Sequence, residues 1–124
     1  MNQSVSQIDK LDEIVYLSIL YDFYGELLSD HKKQIFEDYI LNDLSLGEIA
    51  EDQHISRQGV YDIVKRCSKE LKSYESRLAL VRKFQSVKET LNRMKEISLQ
   101  VRQSHDISRM KEIDALADDI LKEL

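Results

Sequence analysis

The chain has 124 residues, of which 33% are charged, with a formal net charge of −5, three glycines, one cysteine and no proline. This length suits one compact domain or a smaller domain with a long arm, and the composition favours long capped helices over a sheet with tight turns. We therefore predict an all-α protein. The single cysteine, Cys67, excludes an intramolecular disulfide and is typical of a reducing compartment.

Neither a membrane span nor a secretory signal is expected. The longest apolar stretch, Ile14–Leu20, is too short for a bilayer and is interrupted by Tyr16 and Ser18. The first residues lack a basic region followed by an apolar run. These features predict a cytoplasmic protein without membrane insertion.

Two helices are predicted in the first third of the chain. Residues 1–11 are polar and are expected to be flexible, and a helix starting near Asp12 follows. Its apolar positions are Ile14, Leu17, Tyr21, Tyr24 and Leu28, with more apolar residues on the flanks, so it must be covered on more than one side. Ser29 then caps a helix over about Asp30–Leu41, and Asn42 is expected to take the left-handed conformation at its end.

The stretch Ser45–Arg66 has the pattern of a helix-turn-helix. Ser45 and Ser56 each precede a short apolar stripe, at positions where a hydroxyl caps the first turn of a helix. Glu48 completes a capping box with Ser45. We predict helices over about Leu46–Gln53 and from Arg57 onwards, with a turn at residues 53–55. An ordinary helical hairpin that contacts no nucleic acid is the alternative.

The charge distribution favours a nucleic-acid partner more than the net charge does. Residues 1–55 carry three Lys or Arg and twelve Asp or Glu, whereas residues 56–88 carry nine and three. The basic block begins at the second helix of the motif, and local charge matters more to a polyanion than the total. A solvated basic face on a long helix is the alternative explanation.

The second helix of a helix-turn-helix lies in the major groove, and duplex DNA is therefore the predicted partner. We expect Val60 and Ile63 to point inward. The base-facing set is then Ser56, Arg57, Gln58, Tyr61, Asp62 and Lys65. Lys65, Arg66 and Lys69 are the expected phosphate contacts. Asp62 opposes this interpretation, because a carboxylate repels phosphates unless it accepts a hydrogen bond from cytosine.

A long helical arm is predicted after the motif. No strong stop signal follows Arg57, so one helix, or two with a bend near Lys72–Tyr74, is expected to continue to Gln103. Apolar residues recur along it at coiled-coil-like spacing, which predicts packing against a second copy or back onto the first helix of the chain. This seam comprises Leu78, Val81, Phe84, Val87, Leu91, Met94, Ile97 and Val101.

The expected organisation has four parts. A flexible segment covers residues 1–11, the helix-turn-helix domain 12–72, the coiled-coil-like helix 73–103, and an amphipathic helix 104–124 that packs on the long helix or on a partner. A homodimer is expected. His31, His54 and His105 are far apart in sequence, and no glycine-rich phosphate loop or nucleophile elbow occurs. We therefore expect no metal, no cofactor and no enzymatic activity.

Three segments, Tyr21–Asp30, Ser45–Glu51 and Ser56–Asp62, resemble the bacterial YlxM family, and the match covers about Asp12–Leu91. That family is similar in turn to sigma-factor region four. The resemblance implies an all-helical, dimeric, DNA-binding regulator of transcription linked to the signal recognition particle pathway. It also implies an alternative, in which the helix-turn-helix is a scaffold and the chain binds the protein or RNA of that particle.

The sequence departs from the family pattern at four positions. Gly47 and Gly59 stand where the family usually has alanine, and Gln53 and His54 where it tends to have an aromatic residue and glycine. Glycine inside a helix costs about 1 kcal/mol relative to alanine, so both glycines are expected to loosen the motif. His54 is expected in a left-handed conformation, which histidine tolerates better than most residues.

Overall fold

A computed structural model of the chain describes residues 3–124, with side chains from residue 11 onwards. Over this range the chain forms α-helices and two 3-10 turns, Gly25–Leu27 and Ile107–Arg109, without any strand. The predicted all-α fold is confirmed. The helices are α1 (Gln3–Tyr24), α2 (Asp30–Ile40), α3 (Leu46–Gln53), α4 (Arg57–Leu78), α5 (Leu80–Ser104) and α6 (Met110–Glu123).

The chain divides into two compact units, Met1–Ala79 and Leu80–Leu124. In the first unit α4 is the central helix, since α1, α2 and α3 all contact it. Aromatic contacts fasten α1 to α4: the rings of Tyr24 and Tyr74 are 6.0 Å apart, and the Tyr24 hydroxyl donates to Glu75 at 2.6 Å. The largest fully buried side chains are Tyr24, Phe36, Leu20, Ile35, Ile49, Leu71, Val60 and Cys67.

Helix α1 begins earlier than the polar composition of the terminus predicts. It starts at Gln3, so most of the segment expected to be flexible is helical, and residues 1 and 2 lie outside the described part of the chain. Of the predicted inward line, Leu17, Tyr21 and Tyr24 are buried, whereas Ile14 is 37% exposed. The Glu13–Lys72 ion pair, 2.5 Å long, adds a polar link between α1 and α4.

The predicted cap at the end of α2 is displaced by one residue. Asp43, not Asn42, has the left-handed conformation, with φ at 54°. The reason lies in Asp38, a buried carboxylate that accepts hydrogen bonds from Asn42 at 2.9 Å and from Gln34 at 3.3 Å. Because Asn42 uses its side-chain amide for this contact, the next residue makes the reversal. The Leu44 amide then donates to the Asp38 carbonyl at 3.0 Å.

Helix α4 ends at Leu78, which differs from the expected continuation to Gln103. Ala79 adopts the left-handed conformation with φ 52° and ψ 33°, and its amide donates to the Glu75 carbonyl. Alanine has the highest helix propensity, so no local signal marks this end. The boundary predicted between residues 72 and 73 falls inside α4, and Leu78 of the predicted seam belongs to α4, not to α5.

The second unit is a helical hairpin of α5 and α6. Packing on the long helix is one of the two arrangements predicted for the last helix. Arg109 donates to Gln100 at the closed end, and the Ser86 hydroxyl donates to Glu123 at 3.0 Å near the open end. The Asp106 carboxylate accepts from the amide and hydroxyl of Ser108, and these bonds lower the pKa of Asp106. Along residues 3–124, none of the helices combines the length and apolar character that crossing a membrane requires.

Candidate nucleic-acid interface

Both helices of the predicted motif begin at the predicted serines. The Ser45 hydroxyl accepts from the Glu48 amide at 3.1 Å, while the Glu48 carboxylate accepts from the Ser45 amide at 3.2 Å. The Ser56 hydroxyl accepts from the Gly59 amide at 2.9 Å. The capping box and the second cap are therefore confirmed, and they fix the first residues of α3 and α4.

The turn between α3 and α4 closes around His54, as predicted. This residue is left-handed, with φ 56° and ψ 41°, and the Ile55 amide donates back to the Ala50 carbonyl at 3.1 Å. Ala50 and Ile49 are buried on α3, and Val60 is fully buried on α4. A small residue at the contact thus brings the two helices together.

The buried stripe of α4 continues at Val64, not at the predicted Ile63. Val64 is 8% exposed, whereas Ile63 is half-buried. Steps of four, three and four residues lead from Val60 through Val64 and Cys67 to Leu71, and the last two are fully buried. This stripe orients α4, so that its opposite surface faces solvent.

Five of the six predicted base-facing residues lie on this exposed surface of α4, and Ser56 is exposed just before its first residue. The five residues on α4 form, together with Arg66, two adjacent rows with four-residue steps. The first row contains Arg57, Tyr61 and Lys65, and the second contains Gln58, Asp62 and Arg66. Ser56, at the start of the helix, uses its hydroxyl for the cap.

Arg57 rests against α3 at the position of a glycine. A Cβ atom added to Gly47 would lie 3.1 Å from Nε and from one terminal nitrogen of the Arg57 guanidinium, closer than ordinary contacts. The glycine of α3 has an ordinary negative φ, so its role here is the close approach of a side chain. The sequence pattern marked Gly47 as a weakness of the helix and missed its effect on Arg57.

Asp62 accepts a hydrogen bond from another residue of the second row. The Gln58 amide nitrogen donates to the Asp62 carboxylate at 3.0 Å, across one helical turn. This bond leaves the carbonyl oxygen of the Gln58 side chain for other partners and gives the Asp62 carboxylate a hydrogen-bond donor.

The three predicted phosphate contacts are exposed along the middle of α4. The Lys65 ammonium lies 5.9 Å from the centre of the Tyr61 ring. Neighbouring Glu70 is paired with Lys32 of α2 at 2.9 Å, and the bond raises the pKa of Lys32. This pairing directs the carboxylate that follows Arg66 and Lys69 towards α2.

Cys67, the single cysteine of the chain, lies in the core of the first unit. The Cys67 thiol is fully buried, and burial raises its pKa to about 11. Within the part of the chain that the structure describes, no three His, Cys, Asp or Glu side chains come together as a metal site.

The sequence motifs do not indicate a cleft that lies beside α4. It lies between α1 and α4 and has a volume of about 530 Å³, with Tyr39 and Leu46 from the two intervening helices also on its wall. Tyr61 and Lys65 of the base-facing set line it as well. The four-residue spacing of Tyr61, Lys65 and Lys69 is the one sequence signal that places these residues together.

The chain is similar to helix-turn-helix proteins of bacteria. A family model described as "Putative helix-turn-helix protein, YlxM / p13 like" matches residues 11–113. The UPF0122 protein YlxM of Bacillus subtilis is 40% identical over 102 residues, which is 82% of this chain and 93% of that protein. A UPF0122 protein of Thermoanaerobacter sp. strain X514 is 43% identical over 110 residues, covering 88% of this chain and 94% of the relative. One from Caldanaerobacter subterraneus subsp. tengcongensis is 51% identical over 85 residues, 68% and 73% of the two chains.

Proposed function

The chain belongs to the UPF0122 family of YlxM / p13-like helix-turn-helix proteins, and from this premise we propose that it is a DNA-binding regulator of transcription that places α4 in the major groove. One observation carries the proposal. One face of α4 is buried through Val60, Val64, Cys67 and Leu71. The opposite face of its first two turns, directly after the Ser56 cap, is therefore exposed to solvent. That is the part of a recognition helix that contacts base edges.

Arg57 and Gln58 are the proposed sequence-reading residues. A guanidinium donates two parallel hydrogen bonds to guanine, and a side-chain amide pairs with adenine in a similar way. The Arg57 guanidinium lies close to Gly47 of α3 in the free protein. Gln58 bonds Asp62 in the free protein, so reading adenine requires it to exchange that bond.

Lys65, Arg66 and Lys69 are the proposed phosphate contacts. They follow the reading residues by two to three turns on the same exposed surface. Contacts of this kind add affinity without selecting a sequence, and each one releases counterions from the duplex. Mutations of the reading residues are therefore expected to change sequence preference, whereas mutations of the phosphate contacts are expected to weaken binding to every sequence.

The test is a selection from random duplex DNA, run beside a structured-RNA pool. We expect enrichment of one duplex sequence, which Arg57→Ala binds about tenfold more weakly while its affinity for unrelated duplexes is unchanged. Lys69→Ala weakens all sequences and lowers the salt slope by about 0.9. Lys88→Ala, an exposed lysine of α5, is the control that changes neither property.

An unenriched duplex pool together with an unaltered Arg57→Ala variant contradicts the proposal. Enrichment in the RNA pool alone favours the competing hypothesis, in which the chain binds the RNA of the signal recognition particle. A pull-down with the protein of that particle tests the other form of this hypothesis. The hypothesis of binding to the signal recognition particle rests on the family resemblance, whereas the orientation of α4 supports binding to DNA.

We also propose that the chain acts as a homodimer through the α5–α6 hairpin. Within residues 80–124, all of which the structure describes, Val81 and Ile97 are the buried apolar side chains. So small a core does not stabilise a hairpin of this length alone. Exposed apolar residues remain along α5 and α6, among them Leu91, Leu99, Met110 and Leu121.

A second hairpin packed on this surface gives a four-helix arrangement, the usual way to cover such a face. Symmetric pairing also suits DNA binding, because two reading helices engage two half-sites. We expect light scattering to give a dimer mass that Leu91→Glu converts to a monomer mass, while Lys88→Glu leaves the dimer intact. A monomer mass at every concentration of the unaltered protein is the contrary result.

A further inference from the structure

The cleft between α1 and α4 has an apolar floor. Ile14 and Leu17 of α1 face Val64 of α4, and Tyr39 and Leu46 close the wall. Its volume of about 530 Å³ lies within the range of small-molecule sites in proteins. The cleft follows α4 from Tyr61 to Lys72, a distance of about 16 Å at the rise of an α-helix. An elongated ligand fits this form better than a compact one.

The rim of the cleft is cationic. Lys65, Lys69 and Lys72 line it, and the carboxylate on the rim, Glu13, is paired with Lys72 at 2.5 Å. Among the side chains described from residue 11 onwards, Lys65 and Lys69 form no ion pair. The Lys65 ammonium instead lies over the Tyr61 ring. Two ammonium groups thus stand beside apolar surface without an ion-pair partner among the described side chains.

We propose that this cleft binds an elongated apolar carboxylate, of the chemistry of a fatty acid. The aliphatic chain replaces water along Ile14, Leu17 and Val64, which is favourable in proportion to the apolar area covered. The carboxylate pairs with Lys65 and Lys69, where the partly apolar surroundings strengthen a charged hydrogen bond. A neutral aliphatic ligand contacts the apolar floor but forms no ion pair at the rim. A cationic aliphatic ligand is repelled by Lys65 and Lys69.

Occupation of the cleft also acts on the DNA surface. Lys65 and Lys69 are the proposed phosphate contacts, so a bound carboxylate neutralises charges that the duplex needs. A ligand of this class therefore weakens DNA binding. This second step rests on the proposed function, whereas binding to the cleft does not.

The direct test titrates the full chain with decanoate and follows amide resonances by NMR, without DNA. We expect saturable one-to-one binding with the largest changes at Leu17, Val64 and Ser68. Lys69→Glu weakens decanoate about fivefold or more, and Ser68→Trp, which fills the cleft, about tenfold. Lys88→Glu binds decanoate as the unaltered protein does, and decanol and decyltrimethylammonium bind more weakly than decanoate.

Equal affinity for decanol and decanoate overturns the proposal, as do resonance changes centred on α5 and α6. So does unaltered binding by Lys69→Glu, a substitution at an exposed residue that leaves the fold intact. A second titration with the selected duplex present measures the competition. If decanoate binds the cleft and the duplex remains bound, the coupling to DNA is wrong while the ligand site stands.

Discussion

The left-handed residue in the turn of the helix-turn-helix offers a sharp test of how the motif is stabilised. His54 has φ 56° and ψ 41°, and its side chain is exposed. A residue with a Cβ atom costs about 1–2 kcal/mol in this conformation. Replacing His54 with glycine removes that cost. The greater conformational entropy of glycine in the unfolded chain lowers the free energy of unfolding by about 0.5–1 kcal/mol. His54→Gly therefore stabilises the first unit by about 0.5–1 kcal/mol.

The expected gain is measurable by thermal unfolding followed by circular dichroism. For a unit of the size of Met1–Ala79, a change of this magnitude raises Tm by about 2–8 °C. In urea the midpoint rises while the slope stays constant, because the surface exposed on unfolding is the same.

His31→Gly is the matched control. His31 is exposed on the first turn of α2, where the backbone is helical, so the same chemical change there lowers stability by a few tenths of a kcal/mol. Opposite signs for the two variants are the expected outcome. A loss of stability in His54→Gly equal to that in His31→Gly refutes the argument from backbone conformation.

Three further outcomes are expected from the first unit. Ser45→Ala removes a hydroxyl that caps α3 and lowers the free energy of unfolding by about 1 kcal/mol in urea titrations, whereas Ser76→Ala, on the exposed surface of α4, changes it little. Tyr24→Phe loses the 2.6 Å bond to Glu75 and costs about 1 kcal/mol by the same measurement; an unchanged midpoint contradicts it. Burial raises the pKa of the Cys67 thiol from 9.0 to about 11, so its contribution to stability is complete below pH 9 and declines as the pH rises towards 11. Urea midpoints measured across this pH range check the decline, which is smaller in Cys67→Ala. At pH 8 iodoacetamide does not label Cys67 in the folded protein and labels it once the protein is unfolded.

The motif was predictable because its boundaries are set by nearby residues. Ser45 and Ser56 cap helices through bonds to amides three residues away, and these bonds depend on local sequence alone. The turn at His54 follows from the spacing of the two caps. The exposed surface of α4 then follows from the apolar positions behind it, with a shift of one residue from Ile63 to Val64.

The features that were missed depend on contacts between distant residues. The end of α4 at Ala79 contradicts local propensity, and the shift from Asn42 to Asp43 follows from the buried Asp38 carboxylate. The approach of Arg57 to Gly47 joins two helices across the turn. The cleft needs four helices to form, so no single amphipathic pattern indicates it.

The bond between Tyr24 and Glu75 has a consequence for the order of events during synthesis. The two residues are 51 positions apart, so α1 leaves the ribosome long before its partner on α4 exists. At about 5–20 residues per second, its aromatic face waits about 3–10 seconds for that partner. The helices between them, α2 and α3, are made in this interval, and the last strongly buried position of α4, Leu71, arrives together with the bond. The nascent chain therefore exposes an apolar helix for seconds, a period in which a chaperone at the tunnel exit has a substrate to bind.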